Sequence, residues 1–305
     1  MSRRADECSS PSSPMTADSA PVFRCRWVLA LREAVTLPPW QHGVVTALVK
    51  AANSGDGDES ATGFPGGMVI ESPEVGRTSV GAGETFAFGA TFFGPGGVDA
   101  ATETLHRLCR GLLRLGSRRP KRPAVLGGNF SLLAVEDTVA GREIGPGEPL
   151  VGLPRSLVEA EIARCRAAGP RLTLCFPVPL RMLLPGEKHR KGSRRFLGGD
   201  GFVADQFLNS IAGSLRACGI EVGRPSRGFP PDAMIPLDRR LEWLTIRYGP
   251  EQKDLSGAVG ELDVAVHDPA TLETLVWGQY VAVGMNSHFG LGRFRIVEAG
   301  PDATA

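Results

Sequence analysis

The chain has 305 residues, with 34 Lys and Arg against 33 Asp and Glu, a formal net charge of +1. Its 42% hydrophobic and 22% charged content excludes a wholly disordered chain. Its 39 glycines and 24 prolines are about a fifth of the sequence, short of the ~25–30% that marks low-complexity disorder. Whole-chain charge gives no footing for nucleic-acid or membrane binding, so any such argument must be local. The six cysteines (8, 25, 109, 165, 175 and 218) show no CxxC or metal-ligand spacing. Several fall on apolar faces, as small buried hydrophobes of a reducing cytosol do. No apolar run approaches the ~18 residues of a membrane span, so no membrane association is expected.

Residues 1–20, rich in Ser, Pro and Asp, lack the apolar stretch of a secretory signal and read as a disordered tail. From Phe23 the pattern changes: Phe23, Cys25, Trp27, Leu29 and Leu31 alternate with Arg24, Arg26, Val28, Ala30 and Arg32, as in a strand with one buried face. After Pro38-Pro39 a helix is expected over 41–52, then strands over 68–71 and 84–93. A second helix over 98–115 carries an arginine stripe (Arg107, Arg110, Arg114) that suits RNA or a neighbouring subunit. A strand over 129–136 completes the order β-α-β-β-α-β, the ferredoxin-like arrangement.

The order then repeats. A connector helix over 156–168, with Ser156 and Glu159 in capping-box spacing, leads to a strand over 171–183 and a helix over 202–218. Strands over 240–248 and 259–267, a helix over 270–283 and a strand over 294–297 follow. The expected fold class is α+β, two tandem ferredoxin-like (RRM-like) domains. The first spans 21–140, a linker with its helix 141–169, and the second 170–305.

The sharpest local feature is Gly284-Met285-Asn286-Ser287-His288-Phe289-Gly290-Leu291-Gly292-Arg293, between the last helix and the last strand. Glycines without Cβ let a backbone approach a phosphate closely, and they equally serve a tight turn that needs positive φ. The loop is neither a Walker nor a Rossmann motif, since it precedes a strand instead of following one. No cofactor is implied.

Three stretches resemble the C-terminal signature of a known family: Glu242–Tyr248, Ser256–Leu262, and Val283-Gly284 through Phe289-Gly290-Leu291-Gly292-Arg293-Phe294. The family is the CRISPR-associated endoribonucleases of the RAMP superfamily, which cut precursor CRISPR RNA within each repeat. The resemblance is good over about 170–298 and weaker over 21–137, where Gly83–Phe88 through Gly94 resembles the third N-terminal strand. It implies two ferredoxin-like domains, a repeat stem-loop as partner, and retention of the product within a larger CRISPR effector complex. It also implies metal-independent cleavage by the ribose 2′-OH, leaving a 2′,3′-cyclic phosphate and a 5′-OH. A non-catalytic RNA-binding subunit that scaffolds or caps guide RNA is the alternative. The N-terminal half departs from the pattern, because its loop 116–122 is basic and not glycine-rich.

Such chemistry needs a proton acceptor for the 2′-OH, a donor for the leaving oxygen and cations around the phosphorane. Histidine suits proton transfer near neutrality. His42, opening the first helix, is the leading candidate for base or acid, with Lys50 two turns on along the same stripe. His288 is the rival, with a phosphate-contacting or structural role more in keeping with its loop; Gly284, Asn286, Ser287, Gly290, Gly292 and Arg293 share that loop as RNA contacts. His106 and His267 read as surface positions. The only tyrosines, Tyr248 and Tyr280, lie in the C-terminal half, so a tyrosine beside the first helix is missing and the leaving-group partner stays open. Two basic clusters offer local charge: Arg118, Arg119, Lys121 and Arg122, and Lys188, His189, Arg190, Lys191, Arg194 and Arg195. Each reads as a solvated loop or as a grip on phosphates, the second being the better candidate for an A-form stem.

Overall fold

The structure, a computed structural model, describes residues 19–54, 64–71, 76–94, 96–117, 126, 128–183, 196, 201–223, 228–248, 253–286 and 289–298. In chain order these form β1 (Ser19–Leu31), β2 (Val35–Thr36), α1 (His42–Asn53), β3 (Met68–Glu71), β4 (Ser79–Val80), β5 (Thr85–Phe93), α2 (Gly97–Ser117) and β6 (Phe130–Asp137). Next come β7 (Arg142–Glu143), β8 (Gly152–Pro154), α3 (Arg155–Ala168), β9 (Arg171–Leu180) and α4 (Ala204–Ala217). The last are β10 (Met234–Leu244), β11 (Arg247–Tyr248), β12 (Lys253–Asp254), β13 (Gly257–Val266), α5 (Pro269–Gly278) and β14 (Arg295–Glu298).

Each half builds an antiparallel sheet in which the first strand lies between the third and the fourth. The order is β3-β5-β1-β6 in the N-terminal half, extended by β7, and β10-β13-β9-β14 in the C-terminal half. With α1 and α2 in one half and α4 and α5 in the other, the chain is two tandem ferredoxin-like folds, as the element order implies. Among the described residues no helix is long and apolar enough to cross a membrane.

The alternation in β1 does what it predicts. Phe23, Cys25, Trp27, Leu29 and Leu31 all enter the N-terminal core, where Trp27 stacks on Phe88 at 5.0 Å between ring centroids. Two residues earlier the strand changes allegiance. Val22 and Phe23 are both buried, and Ala20 and Val22 pack into the C-terminal core beside Leu153 and Val158. Residues 19 and 20, assigned to the tail from composition, are therefore strand, paired with β8.

Other expectations shift for identifiable reasons. The capping box at Ser156 is not made: α3 begins one residue earlier, with Pro154 at the N-cap and no side-chain cap. The strand expected over 240–248 is two elements, β10 and β11. β10 begins at Met234 and tolerates Pro236 because it is an edge strand whose register shifts between Pro236 and Asp238. α5 ends at Gly278, and the apolar spacing that suggested a helix to 283 comes from Val281 and Val283, buried in the turn that follows. Two of the three arginines of the α2 stripe have an internal use. Arg107 Nε donates to Asn53 Oδ1 (2.9 Å) and Arg114 Nη2 to the Ser54 carbonyl (2.5 Å), holding the C-terminal end of α1, where carbonyls lack partners.

The contact of α1 with α2 depends on one missing methyl. A Cβ on Gly111 would lie 1.9 Å from the Ala52 carbonyl oxygen, whereas Gly213 in α4 has nothing within 4 Å. Gly111→Ala is expected to destabilise by about 1–3 kcal/mol through overpacking. Gly213→Ala is expected to be neutral or stabilising by up to ~1 kcal/mol through helix propensity. Urea unfolding of the two variants checks the pair.

Candidate active site

A cleft of about 590 Å³ opens at the junction of the two halves. β1, β3 and α1 supply Arg24, Ile70, Glu71 and His42 from one side. The other side supplies Glu161 of α3, Pro177 and Val178 of β9, Gln279 and Tyr280 after α5, and Gly290 with Arg293–Arg295.

His42 is the first residue of α1 and is 1% exposed, not a solvent-facing side chain on the polar stripe. The N-cap residue, Gln41, makes no capping hydrogen bond; its Nε2 donates to the Arg77 carbonyl at 2.6 Å. The first turn carries no acidic residue, so the positive end of the helix dipole has no acidic partner in its own first turn. The His42 ring stacks on Trp40 at 5.0 Å between centroids. Trp40 Nε1, Gln41 Oε1 and His42 Nδ1 are all buried without a hydrogen-bond partner. Three such atoms in consecutive residues are unusual, since buried polar groups are nearly always paired. Burial, and after it the charge of Arg293, lowers the His42 pKa to about 4. The imidazole is therefore neutral at pH 7.

The glycine-rich loop packs against this helix start. Phe289 and Leu291 join Ile246 and Leu255 in a small apolar cluster that also takes in Trp40. Gly290, at φ 78°, lies so close that a Cβ would fall 2.4 Å from the Ile70 carbonyl and 3.0 Å from His42 Cδ2. At Gly292, φ 77°, a Cβ would meet the Val283 carbonyl at 1.8 Å. These glycines let the loop press on the protein's own backbone, the tight-turn alternative of the sequence reading. Gly284 bridges to Arg181, and Asn286 takes a left-handed φ of 63° while its carbonyl accepts the Phe289 N–H at 2.9 Å. Ser287 and His288 lie outside the described residues.

Arg293 leaves the loop to reach across the junction. Its Nη1 lies 2.7 Å from Glu71 Oε1. The same carboxylate accepts Arg24 Nη2 on Oε2 (2.9 Å), and Arg24 Nε (3.2 Å) and Thr91 Oγ1 (2.5 Å) on Oε1. Burial alone would raise the Glu71 pKa, but Arg293, Arg24 and these hydrogen bonds together hold it at about 2. Tyr280, half-buried on the cleft wall, has its pKa raised by burial and by the charge of Glu161.

Lys50 is not brought to His42. It is exposed near the other end of α1 and lines a separate cavity of about 810 Å³ with Ser214 and Cys218. Arg118, Arg119, Lys121 and Arg122 lie outside the described residues, as do Lys188, His189, Arg190, Lys191, Arg194 and Arg195. The ends of the second cluster's segment are nevertheless placed, because Leu183 and Phe196 form an antiparallel bridge. Phe196 packs under the Arg181 guanidinium, 4.1 Å from the ring centroid, and stacks on Trp243. Arg181 in turn donates to the Asp254 and Ser256 carbonyls (2.8 and 3.2 Å) and accepts the Met285 N–H at 2.8 Å. The two residues that flank the basic segment thus pack beside Arg181, whose carbonyl meets the start of the glycine-rich loop. Sequence reasoning missed Arg24, Glu71 and Tyr280 as cleft residues. Arg24 had a signal, as one of the arginines on the polar face of β1, whereas Glu71 had none.

No protein-family model and no curated protein matches the chain. Solved structures do. A partial Cas6-RT-Cas1–Cas2 complex superposes with a TM-score of 0.67 at 16% identity, over 93% of this chain and 47% of that one. The Cas6-RT-Cas1–Cas2 complex matches equally, over 29% of its chain. A Cas6 product complex matches with a TM-score of 0.53 at 14% identity, over 90% of this chain and all of that one. The chain spans about half the length of the first of these structures. At these identities the shared property is the fold alone.

The buried His42 and the partly buried Glu71 make acid stability a direct test. His42 moves from an ordinary 6.5 to about 4, and Glu71 from 4.5 to about 2. In both cases the folded form binds fewer protons, so stability is lost as pH falls. His42 contributes the loss between about 6.5 and 4, and Glu71 the loss between about 4.5 and 2. Chemical denaturation across pH should show both phases, with His42→Asn removing the upper one and Glu71→Gln the lower.

Proposed function

We propose that the chain is an endoribonuclease of the Cas6 type, binding the repeat stem-loop of precursor CRISPR RNA in the cytoplasm and cutting it without a metal ion. The observation that carries this reading is His42: neutral, buried, with an unpartnered Nδ1, at an uncapped helix start within reach of the Arg293 charge. A neutral imidazole on the wall of a cleft that also holds Arg24 and Arg293 is able to accept a proton there. In this reading His42 takes the 2′-OH proton, and the oxygen attacks the adjacent phosphorus. Arg293 and Arg24 face the phosphorane oxygens, whose growing charge they stabilise more than that of the ground state. Tyr280, kept protonated by its raised pKa, is the cleft's donor for the leaving 5′-oxygen. The products are a 2′,3′-cyclic phosphate and a 5′-OH. The stem is gripped through its phosphates by the basic segment between Leu183 and Phe196. Product retention would make the protein one subunit of a larger CRISPR effector complex.

A second reading, an RNA-binding subunit that does not cut, draws support from Lys50, whose placement in another cavity leaves His42 without that cation. Incubation with the cognate repeat in EDTA separates the two. Cleavage to a cyclic phosphate end is expected, abolished by His42→Ala with binding retained; absence of cleavage of the correct repeat supports the second reading. A base must be deprotonated, so kcat/KM should fall as pH drops through about 4. Because the Arg293 charge helps to lower the His42 pKa, Arg293→Ala should move that acid limb to higher pH. An acid limb unmoved by Arg293→Ala would remove His42 from the role of base.

A further inference from the structure

Glu71 is placed where a simple structural ion pair would not need it. One carboxylate faces two guanidiniums, Arg24 from the N-terminal sheet and Arg293 from the C-terminal half, so among the described residues the site keeps a positive charge without its own counterion. The other carboxylate on the cleft wall, Glu161, is taken by Arg164 at 2.7 Å. Arg295 adds a further cation to the same wall. Partly burying a second guanidinium without its own counterion is costly, and an anionic ligand is what offsets that cost.

The geometry also leaves donors for such a ligand. Arg24 uses Nε and one Nη2 hydrogen on Glu71, and Arg293 uses Nη1. Of the five N–H donors on each guanidinium, the rest have no partner among the described residues and remain for the cleft. The side chains of Arg24 and Arg293 are 31% and 19% exposed, so both are reachable from solvent. Thr91 Oγ1 on β5 also donates to this carboxylate. His42 and Tyr280 share the same cleft walls.

We propose that Glu71 is a positioning residue of the RNA-cleaving site: its carboxylate holds the Arg24 and Arg293 guanidiniums side by side across the junction, so that their remaining donors meet the phosphate already oriented. This rests on the nuclease reading above. Its action is on geometry and charge, not on proton transfer. Orientation fixed before the substrate arrives lowers the reorganisation needed at the transition state. A loose pair of arginines would still attract RNA, since attraction depends on charge and not on alignment.

The test compares wild type with Glu71→Gln, which keeps the shape and removes the charge. Binding is read with a repeat carrying a 2′-deoxy nucleotide at the cleavage site, and chemistry by single-turnover cleavage across pH. Glu71→Gln is expected to bind the uncleavable repeat at least as tightly as wild type. Its salt dependence should steepen by up to about 0.7 log unit, the value of one single-strand phosphate contact. Its cleavage rate should fall on the order of 100-fold, the effect of losing an oriented donor. The acid limb should move to lower pH, because an unopposed Arg293 charge disfavours protonated His42. Binding and rate that fall together with an unmoved acid limb would show a merely structural role and overturn the proposal, as would an unchanged rate. Glu71→Asp, which keeps the charge at shorter reach, covers a Gln variant that does not fold: it should retain the acid limb and binding while losing at least 10-fold in rate. A wild type that binds but does not cut the repeat counts against the nuclease reading alone. A wild type that cuts, with Glu71→Gln cutting as fast, overturns the positioning role alone.

Discussion

One strand belongs to two cores. β1 gives Ala20 and Val22 to the C-terminal half and Phe23 through Leu31 to the N-terminal half, so the two ferredoxin-like units share a rigid element and not merely a linker. The consecutive burial of Val22 and Phe23 marks the changeover. Arg24 is the next residue along. Its side chain leaves the strand on the face opposite the N-terminal core, at the height of the junction, and that is where the cleft lies. The cleft lies where both faces of β1 are covered, the face of Ala20 and Val22 by the C-terminal core and the face of Phe23 and Cys25 by the N-terminal core.

The cleft is then tuned by burial and charge acting in opposite directions on two groups. For His42, burial and the Arg293 charge act together, and the imidazole is kept neutral. For Glu71, burial opposes ionisation and the two arginines overcome it. Arg293 enters both balances, because the glycine-rich loop brings it between α1 and β3. The glycines achieve this by allowing backbone to lie against backbone at Ile70 and Val283. Their contribution to any phosphate site is indirect, through the arginine they deliver.

The fold was legible because two different periodicities appear twice in the same order, and each sheet confirms the strand order they imply. Misreadings concentrate where burial lacks periodicity: Val281 and Val283 in a turn, and the charged edge strand β10 interrupted by Pro236. Half of the site was also legible. His42 and Arg293 stood out by residue type and by the loop's resemblance to a known signature. Arg24 was visible only as one of several arginines on an alternating strand, and Glu71 as the polar end of a four-residue strand. Tyr280 seemed to be in the wrong half, because the closeness of the α5 turn to α1 is a tertiary fact. Lys50 illustrates the converse, a residue on the right helix whose distance along the axis places it in another cavity.

The bridge between Leu183 and Phe196 has a meaning for how such a protein changes over time. Twelve residues, 184–195, separate two points fastened to each other, to Arg181 and to Trp243. Closing a longer or shorter segment between fixed ends is cheap, about 0.6 kcal/mol for each doubling of length. Insertions, deletions and substitutions there can therefore accumulate without disturbing the cleft, whose parts are held by other contacts.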